Sequence, residues 1–186
     1  MERLVMRLKG TALAVLLAAM LASTSSVESA DKKDLIYLDL KDGRVVIETL
    51  PQVAPKHVAR IKELVKSGFY DGIVFHRVID GFMAQTGDPL GNGSGGSGKK
   101  LSAEFNKTQH VRGTVSMARA QDPDSADSQF FICLADAHFL DGQYTAWGRV
   151  IEGMEFVDKI KKGDKARNGP VSNPDKIVKM SLADPS

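Results

Sequence analysis

Cysteine is almost missing from this chain of 186 residues: Cys133 stands alone. A single thiol closes no intramolecular disulfide and builds no Cys-rich zinc site, and its position in the apolar run Phe130 to Leu134 marks it as a buried structural group. Charge of one sign is equally scarce. Lys and Arg number 25 against 23 Asp and Glu, a surplus too small and too dispersed to capture nucleic acid or an anionic membrane. The apolar run Gly10 to Ala22 covers 13 residues, well short of the roughly 20 that cross a bilayer as a helix. No G-x-S-x-G elbow occurs, and Cys133 carries no sign of a lowered pKa, so covalent nucleophilic catalysis has no candidate. His57, His76, His110 and His138 are scattered without a second His or Cys at ligand spacing; neither a metal nor another cofactor is expected.

What is present begins with an export signal. Arg3, Arg7 and Lys9 precede the apolar run, and Ser23 to Ser26 follow it, the three regions of a secretory signal peptide. Cleavage is expected between about residues 26 and 30, with an uncleaved anchor as the weaker alternative. Removing residues 1–30 leaves 22 basic and 21 acidic side chains, so function must come from a site and not from bulk charge. Residues 31–186, with 42% hydrophobic and 26% charged residues in the whole chain, read as one soluble domain without repeats or linkers.

Within that domain, Leu35 to Leu40 and Arg44 to Glu48 flank Asp42-Gly43, a hairpin signal. Pro55 opens and Gly68 closes a segment with Val58, Ile61, Leu64 and Val65 on one face, which predicts an amphipathic helix. Runs rich in β-branched and aromatic residues at 73–79, 82–86, 114–118, 129–135, 144–151 and 176–182 bring the candidate strands to eight. A second helix is predicted over Met154 to Lys162. The sum is a mainly β fold, a closed eight-stranded antiparallel β-barrel with two flanking α-helices.

Two motifs look like ligand sites and fail on context. Gly91 to Lys100 matches G-x-G-x-x-G twice, but Lys100 replaces the Ser or Thr of a P-loop and residues 99–105 show no helical apolar face, so the segment reads as a flexible loop. Asp122, Asp124 and Asp127 begin like a calcium loop, yet Asp127 falls where Gly is needed and Cys133 where a bidentate Glu belongs. A solvated turn is the better account.

The segment Phe75-His76-Arg77-Val78-Ile79-Asp80-Gly81-Phe82-Met83-Ala84-Gln85-Thr86-Gly87-Asp88 is different. Alternation puts Arg77 on one strand face with Phe75 and Ile79, a guanidinium among large apolar groups. By itself this fits an arginine whose stem snorkels over a barrel wall. Asp80-Gly81 then interrupts the alternation and lets Phe82, Met83 and Gln85 approach one surface. This segment resembles the signature of the cyclophilins, the cyclosporin-type peptidyl-prolyl isomerases. Ser116 to Ala120 and Ser128 to Cys133 are similar to that family's central strands, and Phe139 to Gly142 to its pocket loop; the similarity runs from about Leu35 to Leu182.

The resemblance implies a groove in which Arg77 is catalytic and Phe82, Met83, Phe131 and Leu140 receive a substrate proline ring. Gln85 would orient Arg77 and the peptide; Ala118, Arg119 and Ala120 would hold the substrate strand through their backbone; Gln129, Phe139 and Tyr144 complete the substrate-binding set. Phe139 stands where many members carry Trp, Tyr144 where they carry His, and Arg119 where Asn is common. The first two changes resemble exported bacterial members and point to the periplasm; loss of the indole N–H implies weak cyclosporin binding. The implied partners are proline-containing segments of unfolded exported proteins, and a monomer is expected. A proline-peptide reader or holdase of the same shape is the alternative.

Overall fold

The computed structural model describes residues 31–184; the expected signal peptide lies outside the described residues. Strands β1 (Leu35–Leu40) and β2 (Gly43–Thr49) form the first hairpin, paired from Leu35↔Glu48 to Leu40↔Gly43. The turn is therefore Lys41-Asp42, one residue earlier than the Asp-Gly signal suggests. Gly43 opens β2, where a Cβ would meet the Phe156 ring at 2.5 Å. Helix α1 (Pro55–Lys66) buries the predicted face Val58, Ile61, Leu64 and Val65, together with His57.

The remaining strands are β3 (Arg77–Ile79), β4 (Met83–Thr86), β5 (Thr114–Met117), β6 (Phe130–Cys133), β7 (Ala146–Glu152) and β8 (Lys179–Leu182). They form one antiparallel sheet in the order β3-β4-β6-β5-β7-β2-β1-β8. Register shifts at Val46/Ile47 and Val115/Ser116 curl it, as bulges do. The curl stops short of the predicted closed barrel, because β3 and β8 are not paired with each other. Irregular chain fills the seam. Phe75 N donates to Asp175 O, Val78 N to Gly169 O, Val171 N to His76 O and Ile177 N to Ile73 O. Opposite Arg77 in this seam stands Pro170, which has no N–H to offer a ladder. The same pairing explains why the predicted strand 73–79 shrinks to three residues: residues 73–76 bond to the seam loop instead of joining a strand ladder.

Helix α2 (Met154–Asp158) is also shorter than the predicted 154–162. The amides of Lys159 and Ile160 turn back to Phe156 and Val157, and Lys161 N donates to the Asp175 carboxylate. Those bonds end the helix while Val157 and Ile160 still reach the core.

The curled sheet encloses Ile36, Leu38, Val45, Ile47, Phe130, Ile132 and Trp147, each fully buried. Trp147 and Tyr70 both meet the Phe130 ring edge-on, and the Tyr70 hydroxyl donates to Ser128 O at 3.0 Å. Strand β6 is buried on both faces, which is why its sequence is an unbroken apolar run. Phe130 and Ile132 face the main core, whereas Phe131 and Cys133 join a second cluster with Met83, Ala137 and Leu140. Cys133 is inert there: burial, helped by the charges of Asp141 and Asp136, pushes its thiol up to about 12. Among the described residues no helix is long and apolar enough to cross a membrane.

Helix α1 begins at Ala54-Pro55, and Ala54 has no side-chain oxygen to accept from the exposed helix amides. Glu104 supplies them from a distant loop, accepting from Lys56 N, His57 N and the buried His57 ring, the last at 2.6 Å. Burial alone would raise the Glu104 pKa; the His57 ring bond and the two amide bonds outweigh it and hold it below its ordinary value. Glu104→Ala should cost about 1–2 kcal/mol of stability, the value of a lost cap plus a buried donor left unpaired. Urea unfolding of the two proteins checks this, with an unchanged midpoint counting against the cap.

Candidate active site

Along the seam, on the outer face of β3, β4 and β6, lies a groove of about 820 Å³. Arg77 of β3, Phe82 and Met83 at the hairpin, Gln85 of β4 and Phe131 of β6 line it. Phe139 and Leu140 arrive on the 3-10 turn His138–Leu140, and Ala118, Arg119 and Tyr144 form the far wall. A second hollow of about 320 Å³ adjoins it and shares Gln85, Gly93, Ala118 and Arg119. Ala120 and Gln129 line this hollow and not the main groove. All twelve predicted residues thus surround one continuous depression.

The local sequence explains the hairpin. Asp80 and Gly81 make the turn, with Gly81 at φ 73°, a left-handed conformation that favours glycine. Pairing Arg77↔Gln85 and Ile79↔Met83 follows. Phe75, however, does not share the Arg77 face: it packs in the main core while Ile79 packs against the groove cluster. Regular alternation begins only at Arg77, so it cannot be extended back to Phe75.

Arg77 is half-buried and held entirely by uncharged oxygens. Nη1 donates to Gln85 Oε1 at 3.0 Å, Nε to the Asn168 carbonyl at 3.0 Å and Nη2 to Asn168 Oδ1 at 2.7 Å. Gln85 Nε2 donates in turn to Gln129 Oε1, and Gln129 Nε2 to the carbonyls of Gly93 and Gly95. Burial lowers the Arg77 pKa, slightly opposed by Tyr144, but a guanidinium remains charged at neutral pH. Among the described residues, the groove lining includes Arg77, Arg119 and Arg167 and no carboxylate residue. The cation therefore faces the groove uncompensated. A guanidinium has five N–H donors; three are engaged, leaving one on each terminal nitrogen.

The rest of the wall is braced from behind. Arg119 lies 4.7 Å above the Tyr144 ring and donates to the Gln143, Ala120 and Gln121 carbonyls, so its side chain works as a strut. Tyr144 meets Phe131 edge-on, and Phe131 stacks on the fully buried His110. Asp141 accepts from His110 N and its ring Nδ1, and from His138, tying the 3-10 turn to the floor of the groove. His110 is held below its ordinary pKa by burial, against the pull of Asp141.

The Gly-rich segment predicted as a flexible loop is pinned at both ends. Buried Asp88 accepts from the amides of Leu90, Asn92 and Gly93, and Asp127 from those of Ser97 and Gly98. Burial opposes ionisation of Asp88, but these amide bonds keep it a carboxylate. Sequence reasoning also missed His76, Arg167, Asn168, Pro170 and Val171 as groove residues. Asn168-Gly169 is legible as a turn, but nothing in the chain shows that it faces Arg77, 91 residues away.

Comparison with known proteins agrees with this geometry. The family description "Cyclophilin type peptidyl-prolyl cis-trans isomerase/CLD" matches residues 35–182. A probable peptidyl-prolyl cis-trans isomerase of Brucella abortus (strain 2308) is 52% identical over 183 residues, 92% of this chain and 93% of that protein. Peptidyl-prolyl cis-trans isomerase B of Bacillus subtilis (strain 168) is 43% identical over 131 residues, 69% of this chain and 91% of its own. Among solved structures, cyclophilin AquaCyp293 of Hirschia baltica superposes with a TM-score of 0.73 at 29% identity, covering 83% of this chain and 75% of that one. A Cryptosporidium parvum cyclophilin-type isomerase, crystallised in the presence of the dipeptide Ala-Pro, gives 0.72 at 29%, covering 80% and 98%. The chain belongs to the cyclophilin-type peptidyl-prolyl cis-trans isomerase family. It is accordingly an isomerase enzyme acting on peptidyl-prolyl bonds.

Asp141 also predicts a pH response. His110 N and, against some burial, the two histidine rings hold its pKa to about 2, below the roughly 3.9 of an unfolded chain. Its contribution to stability is complete above about pH 4 and is lost as the pH falls through about 2. Asp141→Asn should flatten that part of the acid-unfolding profile read by circular dichroism. It should also raise KM for a prolyl peptide about three- to tenfold through a loosened wall; equal KM values would remove Asp141 from the bracing of the groove.

Proposed function

We propose that this isomerase is an exported, periplasmic enzyme that speeds the folding of other exported proteins, and that Arg77 is its catalytic residue. The observation that carries the second part is a half-buried cation with neutral acceptors only and two spare N–H groups beside an apolar hollow. The first part rests on the signal-like residues 1–30.

An Xaa-Pro bond resists rotation because nitrogen shares its lone pair with the carbonyl, a barrier of about 18–20 kcal/mol with exchange in tens to hundreds of seconds. Twisting the bond returns the lone pair to nitrogen. A donor aimed at that nitrogen binds the twisted form better than the planar one and so lowers the barrier selectively. The free N–H groups of Arg77 are suited to this task. Phe82, Met83, Phe131 and Leu140 would grip the ring and exclude the water that stabilises the planar, polar amide. Exchange within about ten milliseconds needs roughly a 10⁴-fold acceleration, or about 5–6 kcal/mol. A charge-assisted hydrogen bond contributes about 1.5–3 kcal/mol of this, and ring capture with desolvation supplies the remainder. No step calls for a general base.

The substrate is a proline-containing stretch of an unfolded client, its strand running past Ala118, Arg119 and Ala120 toward the second hollow. Ala-Pro was the dipeptide present with the Cryptosporidium parvum protein. Phe139, exposed and packed against Phe82 at 5.4 Å, offers no N–H to a cyclic-peptide drug, so cyclosporin should bind weakly.

On an Ala-Pro peptide, NMR exchange or a protease-coupled assay should show kcat/KM about 10- to 150-fold lower for Arg77→Ala. Unchanged catalysis would remove Arg77 from the reaction. Isomerase loss with intact suppression of client aggregation would make binding the separable function. N-terminal sequencing of protein from the periplasmic fraction should begin between residues 27 and 31; a start at Met1 would refute cleavage.

A further inference from the structure

We infer that Asn168 is a positioning residue of the isomerase: it clamps the Arg77 guanidinium through two uncharged oxygens and so aims its free N–H groups into the groove. The inference rests on the reading of Arg77 as catalytic.

Two of the three bonds that hold Arg77 come from Asn168, one from its backbone carbonyl and one from its side chain. They engage Nε and Nη2, while Gln85 engages Nη1 from the neighbouring strand. A guanidinium is planar, so fixing three of its nitrogens fixes the plane and the direction of the remaining donors. Gln85 alone would leave the group free to swing about a single bond.

The loop is built for this contact. Asn168 sits at φ 69°, a left-handed conformation that asparagine tolerates better than most residues, and from it both its carbonyl and its amide oxygen reach Arg77. Gly169 follows at φ 83°, and a Cβ on it would meet Ile79 Cγ1 at 2.5 Å, so the loop lies directly against β3. Val78 N donates to Gly169 O at 2.8 Å, Gly163 N to Val78 O at 2.9 Å and Gly169 N to Asp164 O at 2.8 Å. Asp164 caps the 3-10 turn Lys165–Arg167 through Ala166 N. The clamp is therefore anchored by backbone bonds to the strand that carries Arg77.

The neutrality of the clamp has a chemical purpose. A carboxylate at the same distance would hold the arginine but neutralise the charge that the groove otherwise leaves uncompensated. Asn168 orders the cation without taking that charge.

The discriminating variant is Asn168→Gly, which removes Oδ1 while keeping the carbonyl and the left-handed backbone, and which, at an exposed position, leaves the core untouched. On an Ala-Pro peptide its kcat should fall about three- to tenfold with KM within about twofold of wild type. ¹⁵N NMR should show faster rotation about the Arg77 Cζ–Nη bonds with unchanged core amide signals. Wild-type kcat and rotation in Asn168→Gly, beside a large loss in Arg77→Ala, overturns the inference alone. A rise in KM at constant kcat overturns it too, because it marks a substrate contact. Wild-type kcat in Arg77→Ala overturns both readings.

Discussion

The site depends on a positive charge kept in place without a negative one. Ordinarily a half-buried guanidinium recovers its lost hydration from a carboxylate, and an ion pair results. Arg77 instead takes three neutral oxygens, one from Gln85 and two from Asn168, and burial lowers its pKa as a consequence. The cost is a less comfortable cation. The return is a charge that remains available to whatever enters the groove, in a low-dielectric setting where a hydrogen bond counts for more than in water.

That arrangement is possible because the sheet stays open. In a closed ladder the outer edge of β3 would bond to β8, and a strand would run where residues 163–178 now pass. The irregular loop satisfies the same backbone groups while presenting side chains and carbonyls at angles a strand cannot offer. Pro170 opposite Arg77 enforces the irregularity by lacking an amide hydrogen. Seam, loop and arginine are one feature, not three.

Strand β6 connects the groove to the core. Phe130 and Ile132 are set in the main core, so Phe131 and Cys133 on its other face have no freedom to shift. Behind Phe131, the buried His110 and its bond to Asp141 tie in the turn that carries Phe139 and Leu140. An apolar hollow made of side chains alone would be soft. Here Phe131, Tyr144 and the turn that carries Leu140 each have a partner bracing them.

Patterns with short range were legible in the chain. The first hairpin, the buried face of α1, the fate of Cys133 and the ordering of Phe82, Met83 and Gln85 around a glycine turn all follow from periodicity, turn chemistry and composition, because each involves residues within a few positions of one another. The open seam, the early end of α2, the pinned Gly-rich loop, the Glu104 cap and the Asn168 clamp do not. Each rests at least in part on hydrogen bonds between segments 14 or more residues apart, and periodicity holds no information about which distant carbonyl or carboxylate will meet an unpaired donor. Family resemblance in the sequence pointed to twelve residues of the groove, an arginine among them, and passed over Asn168 and its neighbours in the seam. Tertiary structure decided that the arginine would be held by amide and carbonyl oxygens, because only folding shows which of the chain's acceptors arrive beside it.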